Sequence, residues 1–126
     1  MTPEEVVGAI YSAWLEQRSA REWIAEDVEY VNPPDAVETG VKRGRQYFRG
    51  IRDVYDEVVI IPERVDPLGE EDVLVIARLT GRASGSGVEI DTQQGYIWTV
   101  RDGVAVRFRW FRRPAEALAA AGLPVE

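Results

Sequence analysis

Residues 88–113 read VEIDTQQGYIWTV, then RDG, then VAVRFRWFRR. The two flanking runs alternate, and Arg101-Asp102-Gly103 breaks them, which is the pattern of two strands joined by a tight hairpin. Successive strand side chains point to opposite faces, so the more apolar set marks the buried one. Over 88–100 that set is Val88, Ile90, Thr92, Gln94, Tyr96, Trp98 and Val100, and it leaves Glu89, Asp91, Gln93, Gly95, Ile97 and Thr99 facing out. Over 104–113 the same reading sends Val104, Val106, Phe108, Trp110 and Arg112 inward, with Arg107, Arg109 and Arg113 outward.

Upstream, DVLVIARLTGR at 72–82 predicts a third strand, separated from the second by the turn residues Ala83-Ser84-Gly85-Ser86-Gly87. Val73, Val75, Ala77 and Leu79 belong inside. The opposite face, with Leu74, Ile76, Arg78 and Thr80, is too apolar to be simply wet, which makes it a candidate dimer face. VVIIPERVD at 58–66 reads as a strand interrupted at Pro62. Residues 45–57 predict a helix whose stripe is Tyr47, Phe48, Ile51, Val54 and Tyr55.

At the start, Thr2-Pro3-Glu4-Glu5 has the signs of a helix N-terminus, and Val7, Ile10, Tyr11 and Trp14 continue at helical spacing, predicting a helix over 3–17. A short helix at 19–25 carries Trp23 and Ile24, and 27–32 alternates as a strand that Pro33-Pro34 stops, followed by a loop over 33–43. Pro114 opens a last helix, 115–121, which Gly122 ends. Helices, a strand, a helix and then a run of antiparallel strands indicate an α+β fold, with helices packed on the concave face of one curved sheet.

A length of 126 residues fits one domain, 1–126, large enough to bury a core. The chain has no cysteine, no secretory signal pattern and no apolar run of membrane-spanning length, which points to a cytoplasmic protein with no membrane partner. A net charge of −7 argues against general nucleic-acid binding. The absence of histidine excludes a Ser–His–Asp triad and any His-ligated metal. Proton transfer would need a carboxylate, Tyr or Lys with a shifted pKa. The glycines of GRASGSG precede a strand rather than a helix, so they form a hairpin loop and not a dinucleotide site. Glu70-Glu71-Asp72 reads as an acidic turn, with calcium binding the functional alternative. No cofactor is implied.

EYVNPPD at 29–35 puts Tyr30 and Asn32 on one face, opposite Glu29, and a buried amide there needs partners. Trp14, Tyr47, Trp98 and Trp110 are either pocket lining or ordinary core. Arg112 either meets a ligand anion or pairs with Glu116, the pair being favoured. Asp35 is a candidate base near Asn32 and Tyr11, or a solvated loop acid.

The pieces AIYSAWLEQ, EDVEYVNPP, GVKRGRQYF, TGRASGSGVEI and WTVRDGVAVRFRWFRRPAEALAAAGL, in this order, resemble the nuclear transport factor 2-like superfamily, with its SnoaL-like and ketosteroid-isomerase-like members. The resemblance spans nearly the whole chain. It implies a cone-shaped, mostly antiparallel sheet wrapped around N-terminal and central helices (also described as a cystatin-like roll), a deep pocket, and a homodimer through the outer sheet face. Function is set by the site and not by the fold. At the position matching the ketosteroid isomerase base the chain has Asn32, which cannot take up and return a proton. Tyr11 matches the oxyanion-hole tyrosine of those enzymes, and Tyr96 falls near their protonated acid. Tyr30-x-Asn32 matches the water-holding pair of limonene-epoxide-hydrolase-like proteins, whose Asp–Arg–Asp set falls here on Ala77, Leu79 and Trp110. The expectation is a binder of a small, mostly apolar molecule lined by Tyr11, Trp14, Tyr30, Asn32, Tyr47, Tyr96, Trp98, Trp110 and Arg112. The alternatives are an isomerase, cyclase or hydrolase using Asp35 with Tyr11, Tyr30 and Asn32, and a structural dimer module with a filled core.

Overall fold

The structure is a computed structural model that describes residues 1–49 and 55–124. Helix α1 (Pro3–Leu15) begins where its sequence signals place it. Thr2 Oγ1 accepts from the Glu5 backbone N–H at 3.2 Å, and Glu5 Oε1 accepts from the Thr2 N–H at 2.8 Å. That reciprocal pair satisfies donors which the helix itself cannot use. Val6, Val7, Ile10, Tyr11 and Ala13 form the buried stripe.

Among the described residues, six strands form one sheet in the order β2-β1-β6-β5-β4-β3. They are β1 (Ile24–Asn32), β2 (Gly40–Arg43), β3 (Tyr55–Leu68), β4 (Asp72–Ala83), β5 (Glu89–Arg101) and β6 (Val104–Phe111), followed by helix α2 (Pro114–Ala120). All neighbouring strands are antiparallel except β1 and β6. The α+β roll expected from the element order is therefore the observed architecture.

The β5–β6 hairpin turns through Asp102 (φ 52°) and Gly103 (φ 79°). Two central residues of positive φ twist the turn the way the strands twist, and Asp-Gly is the pair that adopts this conformation easily. Inside, Val73, Val75 and Ala77 of β4 and Tyr96, Trp98 and Val100 of β5 pack with α1 into one core, as their parity predicts. Parity fails at the start of β6. The register shifts between Thr99/Arg107 and Val100/Ala105, so a bulge puts Ala105 in the core in place of Val104 and Val106. Phe108 and Trp110 recover the expected inward side. At the other end of β5, Val88 lies before the strand and is exposed.

Several other expectations change. The short helix at 19–25 is one 3-10 turn, Arg21–Trp23, because Ile24 already pairs with Ala105 of β6. Residues 40–43 leave the expected loop to pair with β1. Of the helix expected over 45–57, Arg45–Arg49 form a 3-10 turn, 50–54 lie outside the described residues, and Tyr55 starts β3 opposite Ala83. Pro62 does not interrupt β3. It sits opposite Ala77 on an edge strand, with a register shift just after it, where a missing N–H is tolerated.

The outer face also differs from expectation. Leu74 and Ile76, offered as part of a dimer face, are buried with Ile97 beneath Ala117 and Leu118 of α2. Gly95 makes that contact possible, since a Cβ there would lie 2.3 Å from the Ala117 Cβ. The rest of this face is charged. Arg78 pairs with Asp91, and Glu29 pairs with Arg107 (2.8 Å) and Arg43 (3.1 Å). Arg109 Nε is buried there without a hydrogen-bond partner, and nothing among the described residues accounts for it. No helix of the described residues is long and apolar enough to cross a membrane.

Candidate functional site

The inner face of the sheet holds a continuous set of aromatic rings, because β1, β6 and β5 present them at matching registers. Tyr30 lies opposite Phe108, and Phe108 opposite Trp98. The ring centres of Trp98 and Phe108 are 4.5 Å apart, those of Tyr30 and Phe108 5.2 Å, and those of Tyr96 and Phe108 5.3 Å. From the 3-10 turn, Phe48 stacks on Trp98 at 5.6 Å, and Tyr47 reaches Tyr30 at 6.1 Å. From α1, Tyr11 and Trp14 complete the set, at 6.0 and 6.1 Å from Trp98. Offset and edge-on pairs at such separations add to the burial of the rings themselves.

Two polar pairs lie within this cluster. Trp98 Nε1 donates to the Tyr11 hydroxyl at 3.0 Å in a fully buried contact. Tyr96 donates its hydroxyl to Gln94 Oε1 at 2.8 Å. Burial pushes the Tyr11 and Tyr96 phenols above their ordinary range, and each feels a neighbouring phenol as well. Burial alone pushes Tyr30 up to about 12. All three are neutral hydrogen-bonding groups at neutral pH, and none is a base.

The rim has a different character. Trp110 donates its Nε1 to Asn32 Oδ1 at 2.7 Å, in a partly buried contact. That bond occupies the amide carbonyl and leaves the Asn32 NH2 as a donor. Arg112 lies over the Trp110 ring, 5.4 Å from its centre, and its Nε is 3.3 Å from Asp35 Oδ2. Glu116 is instead taken by Arg113, at 3.4 Å, so the expected Arg112–Glu116 pair is not formed.

The fold thus brings the nominated residues into two groups. Tyr11, Trp14, Tyr30, Tyr47, Tyr96 and Trp98 share the aromatic cluster, and Asn32, Asp35, Trp110 and Arg112 share the rim. Asp35 stands in an ion pair with about half of its side chain exposed. Ala77 and Leu79, at the acid and Arg positions of the epoxide-hydrolase pattern, are buried and apolar. Among the described residues, Thr99 is the one polar side chain in the buried set, and it lies on the outer face, donating to Asp72.

Sequence reasoning did not nominate Phe48, Phe108 or Gln94. Phe108 and Gln94 were legible as same-face neighbours of Trp110 and Tyr96 at a period of two. Phe48 was legible only as one member of a helical stripe. The acidic turn closes on its own strands, Glu71 pairing with Arg101 at 2.8 Å, and among the described residues no group of three metal-binding side chains converges.

Comparison with known proteins agrees with this architecture. An NTF2-like protein from Burkholderia thailandensis superposes with a TM-score of 0.76 at 21% identity, covering 98% of this chain and 99% of that one. The fold is that of the nuclear transport factor 2-like proteins. TerC, co-crystallised with polyporic acid, is similar at a TM-score of 0.72 and 20% identity, over 96% of this chain and 99% of its own. A putative SnoaL-like polyketide cyclase from Jannaschia sp. gives 0.71 at 19% identity, over 98% and 93%. No family model and no curated protein matches the sequence.

Proposed function

We propose that this nuclear transport factor 2-like chain binds a small, mostly apolar molecule at the mouth of its cone. The observation that carries this reading is the contrast at the rim. Trp110 stays half-buried on Asn32, and Tyr30, two residues before Asn32 on the same face of β1, stays half-buried with Tyr47 against it, beside the fully buried rings of Tyr11, Tyr96, Trp98 and Phe108. Exposed ring faces beside a fixed amide are what an apolar ligand with one polar group needs: area to bury, and a donor to orient it. The co-crystallisation of the similar TerC with polyporic acid supports a small organic ligand for this fold.

Ligand binding is read by a thermal-shift screen across steroids, terpenoid epoxides, polyketide-like aromatics and fatty acids. A ligand at ~100 times its dissociation constant adds about 2.7 kcal/mol and raises the melting temperature visibly. Asn32→Leu is expected to weaken that binding at least several-fold while the protein stays folded. Unchanged affinity would remove Asn32 from the site, and no shift with any class would favour a cone filled by its own side chains. An acid–base enzyme is the second reading, and Asp35 is the carboxylate at the rim that would serve it. Turnover of a hit compound that survives Asp35→Asn would end that reading.

A further inference from the structure

Apart from the Asp35 carboxylate, the rim offers hydrogen-bond donors. Asn32 has its carbonyl on Trp110 and offers its NH2. Arg112 offers a guanidinium over the Trp110 indole, its Cζ 5.4 Å from the ring centre. A guanidinium over a ring still has N–H donors free for a partner, and a carboxylate can take two of them in parallel hydrogen bonds.

The present partner of Arg112 is a poor competitor for those donors. Asp35 approaches Nε at 3.3 Å, and the two side chains are 54% and 47% exposed. Ion pairs between groups this wet contribute little, so exchanging one carboxylate for another costs little. Asp35 also belongs to the segment 33–39 between β1 and β2, where Val37 is fully exposed and shares no core contact. On the ring side the same spot is apolar, with Trp110 beneath the guanidinium, Tyr30 one same-face step away opposite Phe108, and Tyr47 against Tyr30.

We propose that the ligand of the cone mouth is an amphipathic carboxylate, with a flat apolar body against Trp110, Tyr30 and Tyr47 and its carboxylate on Arg112 in place of Asp35. Asp35 is then the resting counter-ion, and its displacement releases the contact of the 33–39 segment with Arg112. This rests on the reading that the cone mouth binds small molecules.

The test is a fluorescence titration of the intact chain with benzoate, 2-naphthoate and 9-anthroate, each beside its neutral primary amide, at low ionic strength. The acid is expected to bind about 3-fold more tightly than its amide, ~0.7 kcal/mol, the size of a half-exposed ion pair. Asp35→Asn widens that ratio several-fold by removing the competitor, and Arg112→Gln brings it to about one. Thermal melts confirm that both variants are folded. Equal binding of acid and amide, or a preference that survives Arg112→Gln, overturns the carboxylate proposal and leaves the cone-binding reading standing. Failure of every acid and every amide to bind at millimolar concentration overturns both.

Discussion

Two indole N–H groups face the same interior and end in different circumstances. Trp98 donates to Tyr11 in a contact without solvent, while Trp110 donates to Asn32 in one that is partly wet. The chemistry is nearly identical, a Trp N–H on a side-chain oxygen. What differs is the neighbourhood. Trp98 is covered by Phe48, Phe108, Tyr11 and Trp14, while Trp110 packs on the edge of the core and is only partly buried, with the Arg112 guanidinium over its ring. An unmade hydrogen bond is costly where water cannot replace it and cheap where water can. The first bond therefore belongs to stability and the second is available to a ligand.

The sharpest way to break this comparison is Trp98→Ala. Removing a fully buried indole is expected to cost roughly 3–5 kcal/mol in chemical denaturation. A loss below about 1 kcal/mol would show that the floor of the cone is loosely packed and belongs to the binding space as well.

Alkaline pH acts on the aromatic cluster as a whole. Tyr30 titrates at about 12 in the folded chain, against about 10 when unfolded. The folded state therefore holds its proton more tightly, its stability is complete below pH ~10, and it falls as pH rises from about 10 toward about 12. The buried phenols of Tyr11 and Tyr96 act in the same direction. Denaturation midpoints measured across this range should decline, with a shallower slope in Tyr30→Phe. A flat profile would mean that water already reaches the cluster.

Tyr11→Phe tests the buried bond alone. It keeps the ring and leaves Trp98 Nε1 without its acceptor, at an expected cost of about 1–3 kcal/mol. Asn32→Leu does the same to Trp110 at the rim, where water takes over, so its cost in stability should stay under ~1 kcal/mol while ligand affinity falls. Equal costs for the two substitutions would erase the distinction between floor and rim.

Much of this was legible in the residues themselves. The capping box of α1, the Asp-Gly hairpin and the inward parity of Tyr96, Trp98, Phe108 and Trp110 are local consequences of side-chain type and spacing. The membership of Tyr11, Trp14 and Tyr30 in one aromatic cluster followed from the expected fold. Other features were illegible for identifiable reasons. The bulge that puts Ala105 inside depends on pairing with β5, and no residue of VAVRFRWFRR announces it. Strand β2 exists because β1 offers it an edge, and Gly40-Val41-Lys42-Arg43 has no strand signal strong enough to compete with loop. Arg112 pairs with Asp35 and not Glu116 because β1 and β6 run parallel and their ends lie side by side, a long-range approach that helical spacing cannot express.

The sequence by itself determined the α+β class, the strand faces outside the start of β6, and the aromatic and neutral character of the cone interior, because alternation and residue type are properties of the chain. Only the tertiary structure decided which tryptophan is sealed and which is accessible, and that the supposed dimer face at Leu74 and Ile76 lies under α2. Those outcomes depend on what packs over each residue from a distant part of the chain, and burial by a distant element leaves no local signal.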